Sequence, residues 1–346
     1  MSSRERDFAF TDGKNAVAEI LSFYGLNVIE AGQIRKIIWI RTEQGVKCLK
    51  KSRLSPRELL FIHDVKEYLA QKGFKNTDRF ILTGEQLPFV VYNGSPYTLT
   101  NWVTSREADY NLPDELILVI RTLTDLHRIS EGFYSKYTPP ERHLWDRWLQ
   151  RYSCRLSELD KFYNIISGNK RKSEFDQKYL RHFNYFYRQG ETFLKLLAHS
   201  PYDKIAEEGL RKRNVCHHDF SCRNLLITPA NHIYLIDFDY CICDIRLHDL
   251  GSLIIRNMKT NKWDLELARF ILKYYHALYP LSRDEFEVLW IFLIWPQDYW
   301  QVGLQYYEEK QPWPKKKFLK LINKKIEDIK PREEFLRRFP ELWPIR

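Results

Sequence analysis

The sequence has no long hydrophobic run. Its longest apolar stretch, residues 288–295, would span about 12 Å as a helix, against the ~30 Å of a bilayer core. The start, MSSRERDFAF, is charged and lacks the apolar segment of a signal peptide. We therefore expect no membrane span, and we expect synthesis and folding in the cytoplasm.

Cysteine is scarce, and acidic charge is in deficit. The chain has six cysteines in 346 residues, without the spacing of a disulfide framework, which favours reduced thiols. The net charge of +10 comes from 55 Lys and Arg against 45 Asp and Glu, spread along the chain. Runs such as Lys315–Lys317 are typical of a solvated helix face, and no nucleic-acid motif accompanies them. We predict no nucleic-acid partner.

Apolar residues are plentiful, at 44% with 15% aromatic residues, enough for a sizeable core. The length favours two lobes. Residues 1–103 alternate like strands, with a hairpin ending at Lys50 and one inserted helix that has a Ser cap and a closing Gly73. After Val103 the pattern is mainly helical. The sequence predicts a β-rich lobe over 1–103 and a helical lobe over 104–346.

One polar hairpin interrupts the helical part, VCHHDFSCRNLLITPANHIYLIDFDY over residues 215–240. Folding its two short apolar strands about the turn pairs Ile227 with Ile233 and brings Asn224 opposite Ile236. Asn224 and Asp237 then become neighbours at the open end. An amide oxygen beside a carboxylate suits Mg²⁺ that keeps other positions for waters and phosphates.

The same stretch has the spacing of a kinase catalytic loop, H-x-D-x-x-x-x-N, followed by a metal-binding Asp on the next strand. Asp219 stands in the loop leading into the predicted metal site, where a carboxylate can orient a hydroxyl and take its proton. The loop departs from protein kinases, since His218 replaces Arg and the metal strand reads Asp237-Phe238-Asp239 instead of D-F-G.

These features resemble the aminoglycoside phosphotransferase and choline kinase group, whose loop reads H-G-D and whose strand reads I-D-F/W-D/E. Leu126-His127 and His248-Asp249-Leu250 also match that group. Within it, the segments RELLFIHDVKEYLAQKGF and IWPQDYW are similar to the CotS family of spore coat proteins, along nearly the whole chain. The resemblance implies an α+β, protein-kinase-like two-lobed fold of the aminoglycoside phosphotransferase type, with a β-rich N-lobe and a mainly helical C-lobe.

The resemblance also implies a function. Its members suggest ATP, or another nucleoside triphosphate, with Mg²⁺ as cofactors, and phosphotransfer to a hydroxyl of a small molecule like an amino-sugar or an amino-alcohol. The family implies a setting in the sporulating mother cell and the spore coat, with other coat proteins as partners. The alternative is a coat structural protein that keeps the fold without turnover.

The resemblance assigns roles to residues of this chain. Asp219 would be the catalytic base, and His217 would brace its loop. Asn224 and Asp237 would hold Mg²⁺. The predicted cofactor-binding residues are Lys50 at the α/β-phosphates, with Lys47 and Lys51 as competitors, together with Glu58, Gly32, Asn101 and Val103.

Two departures from the family weaken the catalytic prediction. The loop that should cover the phosphates, EAGQIRK, contains only Gly32, where relatives carry several glycines. Ile62 stands where relatives place the Glu that pairs with the strand lysine. We expect Glu58, one turn earlier, or another acid to be the partner of Lys50. A third expectation is open: Trp295, Tyr299 and Trp300 form either an aromatic box for a substrate cation or part of the core.

Overall fold

A computed structural model of the chain describes residues 12–34 and 36–345. The chain packs into two compact units. The first contains the described part of Met1–His143 together with Asp219–Ile242, and the second contains Leu144–His218 with the described part of Cys243–Arg346. These units group segments that pack together and do not test the lobe boundary expected after Val103. That boundary stays a prediction.

The first unit is built around strands. Its helices and strands are α1 (Asp12–Ser22), β1 (Glu30–Ile34), β2 (Ile37–Thr42), β3 (Gly45–Lys51), α2 (Pro56–Gln71), β4 (Val90–Tyr92), β5 (Ser95–Asn101), β6 (Arg106–Glu107), α3 (Pro113–Ile129), β8 (Leu225–Ile227) and β9 (Ile233–Leu235). β1 to β5 form an antiparallel sheet in the order β1-β2-β3-β5-β4. β6, β8 and β9 form a second, three-stranded sheet.

The two faces of the five-stranded sheet differ in chemistry. One face packs against α1 through a buried apolar cluster that includes Ile20, Ile40, Leu49 and Leu99. Residues one position along each strand point the other way. Lys50 therefore lies on the face opposite that core.

Helix α2 begins and ends where its sequence signals predict. Ser55 and Glu58 form a reciprocal capping box, Pro56 occupies the first helical position, and Gly73 follows with φ +101°, a conformation that glycine adopts without steric cost. Its buried face is apolar except for Lys66, which is 2% exposed.

The polar hairpin has the predicted register. Ile227 pairs with Ile233 and Leu225 with Leu235, and the Ile236 N–H donates to the Asn224 carbonyl over 2.9 Å. Leu225, Ile227, Ile233 and Leu235 are buried, and a slip by one residue would turn buried side chains to the outer face.

The second unit is mainly helical. Its elements are α4 (Trp148–Gly168), α5 (Glu174–Ala198), α6 (Tyr202–Lys212), β7 (Val215–Cys216), α7 (Leu247–Thr260), α8 (Leu265–Leu278), α9 (Arg283–Ile294), α10 (Gln297–Tyr307), α11 (Lys315–Glu327) and α12 (Ile329–Arg338); strand β10 (Ile242–Cys243) bridges the unit boundary. The predicted α+β class, with sheets early and helices later, is confirmed. Among residues 12–34 and 36–345, no helix combines the length and hydrophobicity that crossing a membrane requires.

Candidate phosphotransfer site

Lys50 lies between two carboxylates. Its Nζ is 2.6 Å from Asp237 Oδ1 and 2.8 Å from Asp239 Oδ2. Burial opposes the charge of Lys50, but the two carboxylates outweigh it and raise the pKa of Lys50 above its ordinary value. The Lys50 ammonium joins the end of β3 to the residues that follow β9.

Asp237 has an unusual backbone conformation. Its φ of 65° and ψ of 64° lie in the left-handed region, which is uncommon for a residue other than glycine but is tolerated by Asp. The Asp237 N–H donates to Asp78 Oδ2 over 3.1 Å. This turn ends strand β9 and aims the carboxylate at Lys50.

Asn224 and Asp219 are joined within their loop. The Asn224 Nδ2 donates to the Asp219 carboxylate and to the Asp219 carbonyl, both over 3.0 Å. Because the amide nitrogen faces Asp219, the amide oxygen is the atom with which Asn224 could bind a metal. The hairpin register brings Asn224 beside Ile236, the residue before Asp237. Lys50, Asp219, Asn224 and Asp237 thus belong to one connected group within the first unit.

The backbone just before Asp219 is anchored in the second unit. His217 is fully buried, and the main-chain N–H groups of His217 and His218 donate to the two oxygens of Asp249, over 2.6 and 2.9 Å. His218 has φ +67°. Asp249 is the acid of the His248-Asp249-Leu250 motif, and its position on α7 explains why an acid is needed there: it binds two consecutive main-chain donors.

Another acid pairs with Lys50, as expected if Glu58 did not, and the choice of Glu58 is wrong. Its carboxylate caps its own helix at Ser55 and pairs with Arg142 Nη2 over 2.8 Å. Burial opposes ionisation, but the hydrogen bonds from Arg142 and Ser55 outweigh it and lower the pKa of Glu58. The charge partners of Lys50 are Asp237 and Asp239 instead.

The competing lysines are occupied elsewhere. Lys47 is 5% exposed, and its Nζ donates over 2.8 Å to the Asn101 side chain. Since Lys47 and Asn101 pair in register, both side chains lie on the face of the sheet opposite Lys50. A contact of Asn101 with a ligand on the Lys50 face would therefore use its main chain. Asn101 and Val103 do line a cavity of about 590 Å³, together with Asp78 and Tyr234.

Gly32 lies directly beneath an aromatic ring. In register it pairs with Trp39, and a Cβ on Gly32 would come 2.5 Å from the Trp39 indole nitrogen. Trp39 pairs in turn with Cys48, two residues before Lys50, so the indole covers the Lys50 face of the hairpin. The structure thus gives a steric reason for glycine at position 32: the indole takes the space of a side chain.

The aromatic-box prediction for Trp295, Tyr299 and Trp300 is not supported, because all three rings are buried, at 2%, 1% and 8% exposure. The Tyr299 ring is stacked on Tyr179 at 4.2 Å and on Phe186 at 4.1 Å, so both faces are covered. Trp300 donates to Glu158. These residues are core of the helical unit, the alternative that helical spacing favoured.

Comparison with solved structures defines the class of the fold. The chain superposes on an aminoglycoside phosphotransferase from Alicyclobacillus acidocaldarius with a TM-score of 0.78, 20% identity, and coverage of 93% of this chain and 95% of the other. A spectinomycin phosphotransferase complex gives a TM-score of 0.63 at 15% identity, covering 95% and 98%. The fold is the kinase-like fold of aminoglycoside phosphotransferases.

The sequence places the chain more narrowly. Residues 17–339 match the family described as "Spore coat putative kinase YutH". Spore coat protein S of Bacillus subtilis (strain 168) is 26% identical over 342 residues, which are 94% of each chain. The chain belongs to this family of kinase-like spore coat proteins, as its motifs predicted.

Sequence reasoning missed the role of four residues around Asp237. Asp239 shares Lys50, Asp78 accepts from the Asp237 main chain, Lys66 pairs with Asp78, and Arg142 pairs with Glu58. One signal was available: a lysine in the middle of the buried stripe of α2 requires a partner, because a buried unpaired ammonium is unfavourable.

Proposed function

We propose that the chain binds a nucleoside triphosphate with Mg²⁺ and transfers a phosphoryl group to a hydroxyl of a small acceptor like an amino-sugar or an amino-alcohol. One observation carries the proposal: Lys50 is ion-paired with Asp237 at 2.6 Å, next to the Asn224–Asp219 loop. A cation suited to phosphates, a carboxylate suited to a metal and the Asn224 side-chain amide are thereby grouped in one unit.

The donor set fits magnesium. Asp237 and Asp239 supply two carboxylates against the single ammonium of Lys50, and Asn224 supplies an amide oxygen; hard oxygen ligands in excess of cations suit Mg²⁺. Asp237 and Asn224 would hold the ion, which when bound would supply positive charge against the charge that develops during transfer. Lys50 would turn from the carboxylates toward the α/β-phosphates, leaving Asp237 and Asn224 to hold the metal.

Asp219 would act at the acceptor. Its carboxylate is oriented by Asn224 Nδ2, and the main chain before it is fixed by Asp249. A base held in this way can align a hydroxyl and accept its proton, so most of the rate enhancement comes from positioning. Asp219 is the residue we propose as the general base.

Relatives support the choice of ligands. Structures of this fold include a spectinomycin phosphotransferase with ADP and spectinomycin. Another is an amicoumacin kinase with AMP-PNP, Ca²⁺ and a ligand named Ami. A choline kinase from Streptococcus pneumoniae shares the fold at a TM-score of 0.53. These ligands are nucleotides, a divalent cation and small hydroxylated acceptors. In the family's setting, the protein would meet other spore coat proteins.

A second candidate is a coat structural protein without turnover. It is favoured by the Glu58–Arg142 pair, which withdraws the expected helix acid from Lys50, and by Trp39, which covers Gly32 of strand β1, the single glycine of EAGQIRK. Under this reading the charged group around Lys50 would serve stability alone.

Transfer from γ-labelled ATP to a panel of amino-sugars and amino-alcohols separates the candidates. We expect Mg²⁺-dependent product, reduced about 10²–10⁴-fold by Asp219→Asn, because the amide keeps the size of the side chain but cannot take the proton. Asp125→Asn is the matched control, since Asp125 pairs only with Arg128 on the surface of α3. Nucleotide binding without transfer to any acceptor would favour the structural candidate.

A further inference from the structure

A buried lysine on α2 is connected to the segment that begins at Asp237, the proposed metal ligand. Lys66 is 2% exposed, its Nζ is 2.8 Å from Asp78 Oδ1, and it also donates to the Asp78 carbonyl over 2.8 Å. Burying an ammonium requires such partners. The charge of Lys66 therefore fixes both the side chain and the main chain of Asp78.

Asp78 passes this constraint to Asp237. Its second oxygen, Oδ2, accepts from the Asp237 N–H over 3.1 Å, while Oδ1 faces Lys66. With Oδ1 held by Lys66, Asp78 presents Oδ2 to the Asp237 N–H in a fixed orientation. This N–H belongs to Asp237, whose backbone is left-handed.

Lys66 also contacts the residue after Asp237. Its Nζ lies 4.1 Å from the Phe80 ring centre and 5.7 Å from the Phe238 ring centre, both within the range of a cation–π interaction. Phe238 is fully buried. The same ammonium thus contacts both Asp78, which accepts from the Asp237 N–H, and the ring of the residue that follows Asp237.

A second tie reaches the far end of the same segment. Arg142 is 6% exposed, and it pairs with Glu58 at the start of α2 while donating to the Cys241 carbonyl over 2.7 Å. Helix α2 is consequently linked to residues 237–241 at two points. Neither link passes through Lys50.

We propose that Lys66 and Asp78 are positioning residues for Asp237: they hold its backbone in the left-handed conformation that aims its carboxylate at Lys50 and at a bound metal. In this chain they link helix α2 to the segment that begins at Asp237. The inference deepens the proposed function and rests on it for the metal, but the restraint on the backbone is a property of the chain alone.

The neighbouring ion pair provides a matched control. Glu67 and Arg79 follow Lys66 and Asp78 by one residue each and join the same helix to the same loop. Their side chains are more exposed, at 22% and 52%. The Glu67 carboxylate contacts Arg79, whereas the Asp78 carboxylate accepts from the Asp237 N–H. Glu67→Gln therefore removes a link between α2 and this loop but keeps the contact between Asp78 and Asp237.

Amide hydrogen exchange without any ligand tests the restraint. We expect Lys66→Met and Asp78→Ala each to accelerate exchange at the Asp237 amide about fivefold or more, while Glu67→Gln leaves it unchanged. The double variant should match Asp78→Ala alone at this amide, because Lys66 acts there through Asp78. Strand β3 amides report on general loosening. Unchanged exchange at Asp237 in both single variants, or acceleration only in proportion to that of β3, would overturn the proposal.

Calorimetric titration of ADP with Mg²⁺ and with EDTA tests the consequence. For Lys66→Met we expect the gain in affinity that Mg²⁺ brings to fall about 10–100-fold, the usual effect of losing an outer support of a metal ligand, with affinity in EDTA unchanged. An equal loss in both conditions would assign Lys66 a structural role only. If the unmodified chain binds no nucleotide, the proposed function fails, whereas the exchange experiment still decides the restraint.

Discussion

Two ion-pair triads, one in each unit, have opposite charge balance. In the first unit the cation of Lys50 lies between Asp237 and Asp239. In the second unit the carboxylate of Asp298 lies between Lys259 and Lys325, at 2.5 and 3.1 Å. The first triad has one carboxylate more than it has cations, and the second has one carboxylate fewer.

The pKa shifts follow the balance. Burial raises the pKa of Asp239, and repulsion from Asp237 adds to the shift against the attraction of Lys50. Burial also opposes the charge of Asp298, but its two lysines lower the pKa of Asp298 to about 2. A carboxylate with a raised pKa gains from another cation, as expected at a metal site. Asp298 already has its cations, as expected of a structural triad.

Removing the charge of Asp298 should have the largest effect on stability. Asp298→Asn leaves Lys259 and Lys325 without their counter-charge, and we expect it to lower the free energy of unfolding by about 2–4 kcal/mol. Urea denaturation measures the loss. Asp284→Asn, which breaks the exposed Lys204–Asp284 pair of the same unit, should cost only about 0–1 kcal/mol. Equal losses in the two variants would contradict the distinction.

Acid should weaken the same triad. Because the pKa of Asp298 is lowered from 3.8 to about 2, its contribution is complete above pH 4 and is lost as the pH falls toward 2. The shift corresponds to about 2 kcal/mol. The stability difference between the unmodified chain and Asp298→Asn should therefore shrink by that amount between pH 5 and pH 2, in denaturation curves recorded across the range. Parallel pH profiles would rule out this role.

The Lys50 triad should respond least in the absence of ligand. In Asp239→Asn, Lys50 keeps Asp237 at 2.6 Å and the repulsion between carboxylates disappears, so we expect a change in unfolding free energy of within about 1 kcal/mol. The same denaturation experiment measures it. A loss as large as that of Asp298→Asn would mean that the two triads do the same work.

Local patterns in the sequence predicted much of the first unit. The turn that joins the apolar strands Leu225–Ile227 and Ile233–Leu235 determined the hairpin register, and hence the position of Asn224 beside Ile236. The Ser55 cap determined where α2 begins. These features depend on neighbours in the chain or on one pairing, and so they are legible in the sequence.

The pairing of charged side chains was harder to predict from the sequence. Glu58 lies on the expected helix, but its own N-cap and the distant Arg142 hold it. Lys66 finds Asp78 because the rotation of α2 buries its side chain. Such pairings depend on how helices and strands pack. The sequence alone does not show which of several acids a lysine contacts. Likewise, helical spacing alone did not distinguish the core role of Tyr299 from a ligand role.

The central claim is that the carboxylate-rich triad around Lys50 binds Mg²⁺ with a nucleotide. Thermal unfolding with ATP, recorded with Mg²⁺ and with EDTA, tests it directly in the unmodified chain and in Asp237→Asn. We predict stabilisation of about 2.7 kcal/mol at a hundredfold the dissociation constant, and loss of its Mg²⁺-dependent part in Asp237→Asn. No stabilisation of the unmodified chain, or an equal Mg²⁺ effect in the variant, would contradict the account.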